Sequence, residues 1–174
     1  GSRGRARHSK NKNFLIMITK ADDFPIHQIS KPVAETGTER NFYDRYFFNG
    51  YSKDEDIYFG AVLCVYPNLN IMDGSFTLAY EGKQYNSRVS RYLNLERLDT
   101  KVGPLSVEVI EPLNRLKVTL ADVENDLDVS IEFTSRFAPM REPQMQLFNG
   151  PRMIMDTCRI CLLYTSPSPR DKHR

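Results

Sequence analysis

Three segments between residues 105 and 134 alternate apolar and polar side chains with a period of two, and that pattern leaves few folds open. LSVEVIE (105–111) sets Leu105, Val107 and Val109 on one side, and RLKVTLA (115–121) does the same with Leu116, Val118 and Leu120. LDVSIEFT (127–134) repeats it with Leu127, Val129, Ile131 and Phe133. Successive side chains of a strand point to opposite faces, so each segment buries one face and wets the other. The regular spacing, with the acidic turn ADVEND (121–126) before the last segment, predicts antiparallel strands in a meander.

The earlier part of the chain reads the same way. FYDRYFFN (42–49) is aromatic-rich, and IYFGAVLCVY (57–66) is a continuous apolar run of the kind covered on both faces. NGYSKDED between them is rich in turn formers. SFTLAY (75–80) leads into the hairpin signal EGKQ and a return strand near 84–92. No segment sustains a 3.6-residue period, and residues 17–160 contain no internal repeat. The fold class is all-β: an antiparallel barrel or strongly curved sheet. Residues 17–41, with Pro25 and Pro32, read as an extended lead-in to a β-domain over 42–160.

At 174 residues, 40% of them hydrophobic, the chain suits one domain with a real core. No apolar run approaches the roughly 20 residues of a membrane span, and FLIMI is too short for a signal-peptide core. These features predict a soluble, cytoplasmic protein. The formal net charge of +2 hides an asymmetry. Residues 1–16 hold five basic side chains and no acid, and residues 161–174 hold Arg170, Lys172 and Arg174 against Asp171, which leaves −5 for residues 17–160. The acidic body argues against a nucleic-acid partner.

Both ends read as foreign to the domain. Residues 1–16 look like translated upstream sequence, with Met17 the favoured start. CLLYTSPSPRD (161–171) resembles the out-of-frame translation of a sequencing-library adaptor, so residues 161–174 are expected to be a disordered, adaptor-derived tail. Cys158 and Cys161 would otherwise form a Cys-x-x-Cys pair, but on this reading Cys161 is not native and the pair carries neither redox nor zinc chemistry.

Few residues remain that could carry catalysis. His27 is the one histidine in 17–160, so neither a His-based triad nor a multi-His metal site can be built. Cys64 lies in an apolar run and reads as a small buried hydrophobe. No Gly-rich phosphate loop is present, so no metal or cofactor is implied. A polar and aromatic set on the strands remains: Asp44, Tyr46, Asn49, Tyr66, Asp73 and Arg88, with Arg45 and Arg91 beside them. Most such residues are surface or paired core groups. As a ligand site they suit a mainly aromatic pocket with a few polar groups, in which a buried Asp would act as a general acid.

RNFYDRYFFNGY (40–51), CVYPNLNIMDGSF (64–76), SRYLNLERLDTKVGPLSVEVIEPLNRLKV (90–118) and PRMIMD (151–156) resemble a group of bacterial proteins related to the carotenoid 1,2-hydratase (hydroxyneurosporene synthase) and AttH-like superfamily. The resemblance implies a lipocalin-like, calycin-type barrel, the first of two packed β-domains, with a C-terminal β-domain as its partner and a cleft for a hydrophobic small molecule. It implies binding of an isoprenoid, steroid or lipid-like ligand. The alternative is a hydratase or isomerase working by carboxyl acid–base chemistry, with catalytic residues partly in a C-terminal half. No catalytic residue of that superfamily maps onto a position here.

Overall fold

The computed structural model of the protein describes residues 18, 20–25, 40–94, 97–157 and 159–162. His27, Pro32, Cys158 and most of both ends lie outside the described residues.

Strands β1 (Asp44–Tyr51), β2 (Ile57–Tyr66), β3 (Ile71–Tyr80) and β4 (Lys83–Tyr92) form an antiparallel meander, sheet I. Strands β5 (Lys101–Val102), β6 (Leu105–Glu111), β7 (Arg115–Asp122) and β8 (Leu127–Thr134) form a second, sheet II. Two ribbons follow: β9 (Met140–Arg141) pairs with β12 (Ile160–Cys161), and β10 (Met145–Asn149) pairs with β11 (Arg152–Thr157). All pairings are antiparallel. The β3–β4 hairpin turns on Glu81 and Gly82, both at positive φ (49° and 72°), which matches a two-residue turn to the strand twist.

The two sheets pack face to face over one core. Phe48, Leu63, Met72 and Phe76 of sheet I meet Leu105, Val118, Leu120 and Phe133 of sheet II, all buried. The Phe48 and Phe133 rings stack with centroids 4.7 Å apart. Burying each large side chain contributes about 1.5–3 kcal/mol. Gly74 permits the close approach: a Cβ there would lie 2.7 Å from Leu105 Cδ2 and 2.8 Å from Val102 Cγ1.

The all-β, antiparallel expectation holds, but the strands do not close into a barrel among the described residues. At the β4–β5 corner a guanidinium bonds the backbone of both strands. Arg91 Nε donates to Lys101 O at 2.7 Å, and its terminal nitrogens donate to Tyr92 O at 2.9 Å and Asp99 O at 2.6 Å.

Three other departures from the sequence reading have local causes. Lys20–Asp23, expected to be extended, form a 3-10 turn. Order continues past Ile160: Cys161 pairs with Met140, and its thiol donates to Glu142 Oε1 at 2.9 Å. Leu162 packs partly buried against the core. The β10–β11 ribbon escaped the alternation test because it has no buried face. Met145, Leu147, Phe148, Met153, Ile154 and Met155 are all exposed on it.

Candidate functional site

The strand pattern divides the six candidate residues between two places. Inward positions on β1 are even-numbered, so Asp44 and Tyr46 turn toward the space between the sheets. Asn49 on β1, Tyr66 on β2, Asp73 on β3 and Arg88 on β4 all fall on the outer face of sheet I. They do not form one pocket.

The inward pair sits at one end of the sandwich, where the 3-10 turn crosses it. The Tyr46 hydroxyl donates to Asp23 O at 2.6 Å, and the Asp23 carboxylate accepts from Leu113 N in the β6–β7 turn. One residue therefore ties both sheets together. Arg97, in the loop after β4, donates from NH2 to Pro25 O at 3.0 Å and faces Asp44 electrostatically. Burial pushes the Asp44 carboxyl up to about 6, against the lowering effects of the Arg45 amide and the Arg97 guanidinium, while Asp22 raises it further. Asp23 is raised too, again chiefly by burial, and burial lowers Arg97.

Beside this cluster lies an open groove of about 350 Å³. Phe24, Tyr46, Leu98, Val107 and Val109 supply apolar wall, and Asp99, Thr100, Lys101, Ser106 and Glu108 its polar rim. Such a place can hold a small apolar molecule with one polar end, and the carboxyl beside it can hold a proton near neutral pH.

On the outer face of sheet I, register places Arg45, Cys64, Asp73 and Ser90 in one row across the four strands. The Tyr66 hydroxyl hydrogen-bonds the Cys64 sulfur and the thiol donates to Asp73. Burial raises all three groups, so the thiol stays protonated and is a poor nucleophile. Rings flank this row: Tyr43 lies 5.5 Å from Tyr66, and the Arg45 guanidinium sits 5.8 Å from both the Tyr43 and Phe47 centroids.

The sequence reading missed Asp22, Asp23 and Arg97 as neighbours of Asp44. The adjacent carboxylates in KADDFP were the available signal, but a segment without periodicity gives no indication of where it docks. Among the described residues no cluster of side chains suits a metal ion, and no helix is long and apolar enough to cross a membrane. A family model described as a family of unknown function, DUF8625, matches residues 18–165. No curated protein and no solved structure matches the chain.

Proposed function

We propose, for a chain that belongs to this family of unknown function, that the domain binds a small, largely apolar molecule in the groove beside Asp44. The carrying observation is an apolar wall of Phe24, Tyr46, Leu98, Val107 and Val109, with Asp44, whose carboxyl is raised to about 6, two residues from Tyr46 on the same face of β1. A protonated carboxyl donates a hydrogen bond to a carbonyl or hydroxyl without the cost of burying a charge. The lipocalin-like kinship draws support from two antiparallel meanders wrapped on one core. Phe48, Phe76 and Phe133 fill that core, so the ligand sits at the mouth of the sandwich and not in a lumen.

The test is an NMR titration with a panel of isoprenoid alcohols, sterols and fatty acids. Amide shifts should concentrate at Tyr46, Leu98, Val107 and Val109, and at pH 5 Asp44→Ala, which removes the donor, should weaken binding about tenfold, the value of one good hydrogen bond, while Asp44→Asn, which keeps one, should retain it. Absence of shifts across the panel, or shifts at pH 5 indifferent to Asp44→Ala, would overturn the reading.

A second reading, acid catalysis on an apolar substrate, is favoured by the same carboxyl, since a pKa near 6 suits a general acid at neutral pH. It requires that Asp44→Asn abolish turnover of a bound alkene while the fold persists.

A further inference from the structure

We infer that the outer face of sheet I binds a neutral glycan chain, with its rings stacking on flat sugar faces and its amides and hydroxyls meeting sugar hydroxyls. The face is unusual for a sheet in water. Nineteen strand positions point outward, Arg45 to Tyr92, and none is Lys or Glu. Rings stand there instead: Phe47 is 57% exposed, Tyr51 59% and Tyr92 73%, with Tyr43 at 47% alongside. Rings exposed to this degree on one face are a recognition feature.

The arrangement selects the occupant. Phe47 and Tyr51 share one face of β1 four residues apart, hence about 13–14 Å, and Tyr43 extends the line. Tyr51 is doubled by Tyr58, their ring centroids 4.9 Å apart. The line runs into a shallow groove of about 390 Å³ lined by Tyr51, Tyr58, Tyr80 and Gln84, with the charged Glu55, Asp56, Glu81 and Lys83 also in its lining. Between the rings lie neutral hydrogen-bonding groups, with Thr77 Oγ1 and Gln84 Nε2 both donating to Asn86 Oδ1 at 3.0 Å.

Charge discriminates among partners. A single-stranded nucleic acid needs a positively charged track, yet this face offers only Arg45 and Arg88 against Asp73 on a body of net −5. An apolar protein partner would cover Asn49, Ser75 and Arg88 while offering them no hydrogen-bonding group of its own, at about 1–3 kcal/mol for each one left unpaired. A chain of neutral sugars satisfies both the rings and the amides.

The test is affinity electrophoresis of the full chain through gels containing hydroxyethylcellulose, glycol chitin, xylan, glucomannan or soluble starch. Retardation by at least one is expected. The Phe47→Ala/Tyr51→Ala variant should weaken it about tenfold or more, Tyr92→Ala less, and Phe47→Tyr should retain it. Lys117→Ala, on the opposite sheet, should change nothing. Circular dichroism and thermal melts check that each variant folds, and the conservative Phe47→Tyr and the single Tyr92→Ala keep the test decisive if the double variant does not. No retardation in any gel overturns the inference. So does retardation unaffected by the ring variants, binding of oligo(dT) instead of glycan, or self-association that the ring variants abolish.

Discussion

Sheet I turns Phe47, Tyr51, Tyr66 and Tyr92 outward, whereas sheet II turns Lys101, Glu108, Arg115, Lys117, Asp128 and Glu132 outward. Their inner faces are interchangeable in kind, aliphatic and aromatic alike. On sheet II, register sets Lys117 between Glu108 and Glu132, and Arg115 reaches Glu132 at 3.4 Å. That is how an antiparallel sheet stays wetted and unpaired on its solvent side. Sheet I has the same strand count and topology and carries rings and amides there. The difference teaches that alternation specifies which face is buried in the domain, while residue type on the other face reports what that face meets.

The largest effect tests the shared core. Phe76→Ala and Phe133→Ala should each cost about 3–5 kcal/mol by chemical denaturation, with a single transition, because both sheets lean on the same rings. Two separate transitions would mean that the sheets fold independently and that the comparison concerns two units. Gly74→Val should cost about 1–3 kcal/mol by pushing Leu105 and Val102 away. An unchanged midpoint would show that the sheets have room between them.

Asp44 gives the pH-dependent contrast. Its folded carboxyl holds a proton up to about 6 against an ordinary 3.8, so the folded state binds the extra proton between those values. Its contribution therefore makes stability fall as pH rises from about 4 to about 6, then level off. Asp44→Asn should remove that slope and exceed the parent at pH 7 by about 1–2 kcal/mol, less than the full shift because the residue is part exposed. Denaturation midpoints at pH 4, 5, 6 and 7 read this directly, and a parent that gains on the variant with rising pH refutes it.

The smallest effects separate the outer faces. Lys117→Glu places like charges across both neighbouring strands and should cost about 0.2–1 kcal/mol, diminishing with added salt. Phe47→Ala should lie within about 0.5 kcal/mol of the parent, since its ring is exposed and its role is contact. A larger loss would make Phe47 a structural residue of sheet I.

The legible part of the fold was the part with a buried face. β2 and β6 coincide with the segments read from pattern, at Ile57–Tyr66 and Leu105–Glu111, and β3 begins four residues earlier than SFTLAY. The site was half legible. Asp44 and Tyr46 were visible as polar groups in an aromatic strand, and parity alone would have separated them from Asn49, whereas the faces of Tyr66, Asp73 and Arg88 depended on the register between strands. Their partners were not visible, because Asp23 meets Leu113 across 90 residues of chain.

By itself the sequence determined the longer strands of the two meanders, their antiparallel order and, where the residues alternate, the face that is buried, since these follow from a period of two and from short turns. Only the tertiary structure decided that the two meanders stay separate sheets, with Arg91 bonded to backbone carbonyls at the β4–β5 corner, and that a 3-10 turn brings Asp23 to Tyr46 and Arg97 toward Asp44. Those outcomes depend on how two finished sheets and a non-periodic strap fit together. Side-chain volume at Gly74 and hydrogen-bond demand at the corner govern that fit, and neither has a local signature along the chain.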